Sequence, residues 1–266
     1  MKIALCLFGY PKGSTIYAGG AYEQKFKHLF DQVMVHNPDV FIHSWDTSLQ
    51  QELVELFNPK YFVFQNQLQF EDEISRLKMR RFAGSRGDIF KTLSFFHTRN
   101  VSNKLKSLHE SREGFTYDWV VSSRFDVGYH NHGKNKTSYL NFDPNMDRDA
   151  VYSAYWNQIN AGLSDHWFYG NSKNMDSVCN IRDNVIDYLK EGSEYCKTMT
   201  SGWFDSSQEN QFSNEFLLEN KCSTLRKYPE HYCLNNHCLY KWHFKQNNLW
   251  RSEVCKFLNQ ELWTDE

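Results

Sequence analysis

The segment Trp119-Val120-Val121-Ser122-Ser123-Arg124-Phe125-Asp126 runs from an apolar stretch into two hydroxyls, a base and an acid. In open α/β sheets, ligands bind beyond the carboxyl ends of the strands. A carboxylate there is costly to bury unless it meets a cation or a hydrogen-bond donor. Asp126 is therefore the first candidate for chemistry, against the plain alternative that Arg124 and Asp126 simply pair and cap the strand. A second acid, Asp165, follows the loop Gly162-Leu163-Ser164 and precedes the apolar His166-Trp167-Phe168-Tyr169. A carboxylate at such a junction can take a proton from a hydroxyl; its alternative is a hydrogen bond within its own loop. Glu209 and Glu215, on an expected helix, are reserves. His231, Cys233, His237, Cys238 and His243 raise the question of zinc, but the Cys-x4-Cys spacing is loose and no second cysteine pair matches it. Packing of an aromatic carboxyl-terminal segment is the simpler expectation. His130 and His132, shortly after Asp126, could add ligands to a metal there, with surface turn residues as the alternative.

These residues need elements to position them. Residues 2–8 form an apolar run closed by Gly9 and Pro11, which reads as a buried strand and a sharp turn. Helix 22–35, strand 39–45, helix 49–57 and strand 61–64 follow. The longest helix is expected over 88–110, with Ile89, Leu93, Phe96, Val101, Leu105 and Leu108 as one apolar stripe and Asp88 favourably placed at its start. Strand 119–126 comes directly after it. This alternation predicts an α/β fold with a mostly parallel central sheet covered by helices on both faces. The second half is less regular, with strands at 150–156, 166–169 and 239–244 and helices at 173–189 and 208–218. No repeat or linker divides the chain, so one domain over 1–266 is expected.

Composition narrows the partners. Thirty basic residues against 32 acidic ones give a net charge of −2, without the basic excess that a nucleic-acid surface needs. The chain carries 21 Phe, 15 Tyr and 8 Trp, rings that suit sugar faces but mostly fill cores. No apolar run approaches the ~18 residues of a membrane span, so no transmembrane segment is expected. The amino terminus lacks a cleavage site of the signal-peptide kind. Seven scattered cysteines do not form a secreted disulfide framework, which points to reduced thiols and a cytoplasmic location, that of a host cell if the protein is viral. The sequons at Asn100 and Asn135 are read as chance matches, the first lying inside the long helix.

Four segments, in order, carry a resemblance: Lys2-Ile3-Ala4-Leu5-Cys6-Leu7-Phe8-Gly9-Tyr10-Pro11, Asp39-Val40-Phe41-Ile42-His43-Ser44-Trp45, Tyr117 to Asp126, and Ser164-Asp165-His166-Trp167-Phe168-Tyr169-Gly170. Over roughly residues 1–220 the chain resembles short bacterial and viral glycosyltransferases of the GT-A fold. The resemblance implies a Rossmann-like half, about 1–130, holding a nucleotide-sugar (a UDP-sugar by superfamily frequency), and an acceptor half, about 131–266, holding a glycan or another hydroxyl. It implies a metal motif, Asp-x-Asp, at the end of a central strand. Here that motif reads Arg124-Phe125-Asp126, so only the second acid is kept. Either Asp126 holds Mn²⁺ or Mg²⁺ with the sugar diphosphate, or Arg124 supplies charge and the need for metal falls. The donor residues implied are Phe8, Gly9, Tyr10, Lys12, Arg124 and Asp126, with Asp165 as catalytic base and His166 and Trp167 on the acceptor side. Within the turn, glycines admit close backbone approach and Lys12 could meet phosphate as a point charge. Two rivals stand beside this reading. One is another α/β group-transfer enzyme such as a sulfotransferase, although Gly9 to Gly20 does not match a Walker cradle. The other is a non-catalytic carbohydrate-binding or degenerate transferase module.

Overall fold

The computed structural model describes residues 1–11, 22–77, 88–127, 139–155, 162–200 and 234–259. Strand β1 (Ile3–Gly9) leads through α1 (Tyr22–Gln32) to β2 (Asp39–Ser44), and α2 (Gln50–Phe57) leads on to β3 (Tyr61–Phe64). A short α3 (Glu71–Arg76) precedes the 25-residue α4 (Ile89–Glu113), which returns the chain to β4 (Trp119–Arg124). Strands β5 (Val151–Ala154) and β6 (Trp167–Gly170) follow, then helices α5 (Ser172–Cys179), α6 (Ile181–Leu189) and α7 (Glu194–Thr200). Helix α8 (Asn236–Gln246) and strand β7 (Cys255–Leu258) complete the described elements.

The strands form one seven-stranded sheet in the order β3-β2-β1-β4-β6-β5-β7. Strands β3, β2, β1 and β4 are parallel, β6 is antiparallel to both β4 and β5, and β7 pairs parallel with β5. The fold is thus α/β with a mostly parallel sheet. The continuous apolar runs at β1 and β4 reflect burial on both faces. Side chains alternate across the sheet: Ile3, Leu5 and Leu7 pack with Phe26, Leu29, Leu53 and Phe57 from α1 and α2. Ala4 and Cys6 face the opposite cluster, which includes Leu93 and Phe96 of α4 together with Val178, Val185 and Tyr240.

Several boundaries and one element type differ from expectation. Segment 239–244 is not a strand but the middle of α8. Asn235 caps that helix, its side chain accepting from the His237 N–H, and the aromatic alternation that mimics a strand is overridden by this capped turn. The single helix expected over 173–189 breaks at Asn180 into α5 and α6. In α4 the expected stripe does not hold along its length: Leu108 is 41% exposed. The buried face there is largely polar, carrying Arg99, Asn100, Asn103 and Lys106. Asn100 donates to Asp183 at 3.1 Å, so this sequon residue is engaged inside the fold. The expected helix over 208–218 and Asn135 lie outside the described residues.

Candidate functional site

In the sheet order, β2 lies on one side of β1 and β4 on the other, so the winding direction reverses between β1 and β4. At such a switch point, the loops leaving the two carboxyl ends part and leave a crevice. A cleft of about 440 Å³ opens there, within the size range of small-molecule sites. Its β1 wall is Phe8, Gly9 and Tyr10, and its β4 wall is Arg124, Phe125 and Asp126. Trp45 after β2, Gln67, and the face Phe90, Lys91, Ser94, Phe95 and Thr98 of α4 complete it.

The framework under this cleft is fixed by hydrogen bonds. Gly9 has φ +105°, a conformation open to glycine. Its N–H donates to Thr98 Oγ1 at 3.0 Å, and its carbonyl accepts from the Trp45 N–H. Thr98 in turn bonds His43 Nδ1, and His43 Nε2 meets Gln65 Nε2 at 3.1 Å. Burial, with a smaller contribution from His97, pushes the His43 pKa down to about 3. The ring is therefore neutral, with Nδ1 donating to Thr98 and Nε2 accepting from Gln65. The end of β1, β2 and α4 are thereby locked together. Trp45 stacks on His97, with centroids 5.3 Å apart, and its buried indole N–H has no hydrogen-bond partner among the described residues.

Arg124 and Asp126 close on each other. Arg124 Nε donates to Asp126 Oδ1 at 2.7 Å, and Nη2 pairs with Oδ2. This is the bidentate fork that suits guanidinium and carboxylate. The arrangement does not fit a divalent cation at Asp126: both carboxylate oxygens already accept from a guanidinium, whose charge stands where the ion would sit. Among the described residues no three His, Cys, Asp or Glu side chains converge as metal ligands. His130 and His132 lie outside those residues, as do Lys12, His231, Cys233, Glu209 and Glu215. Of the zinc candidates within them, Cys238 is buried in the core, and His243 is spent on Tyr188 and the Ser177 carbonyl.

Behind Arg124 lies a second layer. The Arg124 N–H donates to the His166 carbonyl at 3.2 Å, joining the end of β4 to the residue before β6. Asp165 is buried, and its Oδ2 accepts from Asn236 Nδ2 at 3.3 Å. Burial alone would raise its pKa, but His237, His166, Arg124 and Arg99 outweigh that and bring it down to about 2. His166 is pushed down to about 4, by burial first and then by Arg124. Asp165 and His166 thus adjoin the Arg124–Asp126 pair electrostatically without lining the cleft. Trp167 is fully buried, stacked on Tyr169 with centroids 5.7 Å apart. It belongs to the core beside α1 and α2, not to a sugar-facing surface.

Arg99 is the residue that sequence reasoning missed. It is fully buried, with its guanidinium 4.3 Å from the Phe8 ring and 4.9 Å from that of Phe168. It donates to Tyr240 Oη at 2.5 Å and to the Asp165 carbonyl at 2.8 Å. No carboxylate pairs with it among the described residues, and its Nε has no partner. Its charge therefore sits directly behind the β1 wall of the cleft. Lys91 and Trp45 were missed as well. The available signal was the i, i+4 spacing Phe90-Ser94-Thr98 beside Lys91-Phe95, a second stripe on the α4 sequence.

The structure thus brings five of the expected donor residues, Phe8, Gly9, Tyr10, Arg124 and Asp126, to one cleft. No protein family, curated protein or solved structure matches the chain when compared by sequence or by fold.

Proposed function

We propose that the chain is a glycosyltransferase that takes a sugar from a nucleotide-sugar donor, with UDP-sugars first among the candidates, and passes it to a hydroxyl of a glycan or similar acceptor. The observation that carries this reading is the cleft at the β1–β4 switch point, walled by aromatic rings and lined by more cationic than anionic groups: Arg124 and Lys91 against Asp126. Rings suit the base and the sugar faces, and cations suit the diphosphate. In the transfer, the bond from the anomeric carbon to the β-phosphate oxygen breaks and its electron pair leaves with the phosphate. The acceptor oxygen bonds to the anomeric carbon, and its proton passes to water in the open cleft. Arg124 is placed to meet the charge gathering on the leaving phosphate. Asp165, buried behind Arg124 and outside the cleft lining, is assigned as a positioning residue for the Arg124 end of the site, and an Asp165→Ala enzyme with wild-type turnover would remove it from that role.

The Arg124–Asp126 pair also favours a second reading, a degenerate transferase that binds nucleotide-sugars without turning them over. One experiment separates the two. A panel of nucleotide-sugars is screened for a rise in melting temperature, and each binder is then followed for release of nucleoside diphosphate. Binding with release supports transfer, binding without release supports the degenerate module, and no binding by any donor removes both.

A further inference from the structure

The disagreement between the expected metal motif and the observed ion pair has a consequence for how the donor's charge is held. Asp126 offers a divalent cation no free oxygen pair, because the Arg124 fork occupies both. The cleft nevertheless gathers positive charge from two elements. Arg124 comes from β4, and Lys91 comes from the first turn of α4, exposed and without an ion pair among the described residues. A third cation, Arg99, stands behind the Phe8 ring with no carboxylate of its own among the described residues. We propose that this protein binds a nucleoside diphosphate group through Arg124 and Lys91 in place of a divalent cation, with Asp126 acting on Arg124 as a positioning residue rather than as a metal ligand. This rests on the transferase reading and sharpens it: the substrate class is the same, and the counter-charge is supplied by side chains.

The chemistry is consistent with what each partner can do. A guanidinium presents parallel N–H donors that match two phosphate oxygens as well as two carboxylate oxygens. A diphosphate arriving at the cleft can share the Arg124 fork with Asp126, while Lys91, on the opposite wall, contributes a point charge. Asp126 holds the guanidinium in place but also neutralises part of its charge. Removing the Asp126 charge then strengthens anion binding here, where it would abolish binding through a metal held by Asp126.

The test is calorimetric titration of the full chain with UDP, in excess EDTA and again in excess Mn²⁺. Saturable binding in EDTA is expected. Lys91→Gln, an exposed substitution that leaves the core untouched, should weaken it roughly 3- to 10-fold, and Arg124→Gln roughly 10- to 100-fold, the range of a charge-assisted hydrogen bond. The double variant Arg124→Gln with Asp126→Asn keeps a neutral hydrogen-bonding pair if the single change disturbs folding, and should bind more weakly than wild type but more tightly than Arg124→Gln, which leaves the Asp126 charge facing the diphosphate. Asp126→Asn alone should tighten binding by a few-fold. Binding that needs Mn²⁺ and is lost in Asp126→Asn overturns the proposal while leaving the transferase reading in place. Absence of binding to UDP, GDP and CDP under both conditions overturns the two together.

Discussion

About two turns apart on α4, two fully buried cations are accommodated in opposite ways. Lys106 meets Glu110 and Asp176, each at 2.8 Å, and Ser172 Oγ at 2.6 Å. Burial would lower its pKa, yet those acids raise it. Among the described residues, Arg99 has only aromatic rings, a phenol oxygen and a backbone carbonyl. The contrast divides the helix by task. Its carboxyl-terminal half is neutralised internally and ties α4 to α5, while its amino-terminal half keeps positive charge beneath the cleft that the proposed donor enters. Rings can carry such a cation because their faces are negative and the guanidinium is weakly hydrated.

Breaking the Lys106 site should give the largest effect. Lys106→Met leaves Glu110 and the half-exposed Asp176 without their shared cation, a loss of about 3 kcal/mol, or on the order of 6–12 °C in melting temperature. UDP affinity of the folded fraction should not change. Gly162→Ala probes the other end of the same layer. A Cβ there would lie 2.5 Å from the His237 backbone carbon, so the loop that holds Asp165 must shift, at a cost of about 1–3 kcal/mol by chemical denaturation. Arg99→Met should differ from the Lys106 pattern: stability should fall less, by about 1–2 kcal/mol, because Tyr240 Oη and the Asp165 carbonyl lose a donor while His237, His166 and Arg124 still face the Asp165 carboxylate, and UDP binding should weaken about 5-fold, from the loss of about 1 kcal/mol of long-range attraction. An Arg99→Met protein that loses stability as Lys106→Met does, with UDP binding intact, would erase the distinction between the two halves of α4.

Acidification acts on both halves and follows from the histidines. His43 is pushed down to about 3, His97, His166 and His243 to about 4, each chiefly by burial. Their unfolded values lie near 6.5, so between about pH 6.5 and 4 the unfolded chain binds more protons and stability falls with falling pH. Below that window Asp165, held at about 2, loses its own contribution as the pH drops from the ordinary carboxylate range. Denaturation midpoints should decline steadily from pH 7 to pH 4, and a flat profile would mean that these imidazoles are not buried as neutral groups. The smallest effect is expected from Trp45→Phe, which keeps the ring against His97 and deletes the unpartnered indole N–H. Donor affinity should change by less than about 2-fold, because that buried N–H holds no hydrogen bond to lose among the described residues.

How far the sequence spoke depends on what decides each element. Strands β1, β2 and β4 were legible because strands buried on both faces must be apolar throughout, and the polar break at Ser122 to Asp126 marked the sheet rim. The same run suggested both a cation at Asp126 and its pairing with Arg124, and only the side-chain geometry chose between them. Arg99 and Lys106 were invisible, since a cation in a helical pattern reads as solvated and, Glu110 apart, the hydrogen-bond partners of the two lie 66 or more residues away in sequence. Trp167 looked like a sugar platform because it follows Asp165, but alternation along β6 turns it into the core. Helix α8 was misread because Leu239 to Phe244 alternates like a strand, and the deciding signal, the Asn235 cap, is local and small.

The most direct measurement is a crystal structure of the full chain with UDP bound. The account predicts a diphosphate in the β1–β4 cleft, within hydrogen-bond distance of the Arg124 guanidinium, with Lys91 turned toward it. UDP seated elsewhere on the molecule, or in the cleft with its phosphates away from Arg124, would contradict the account.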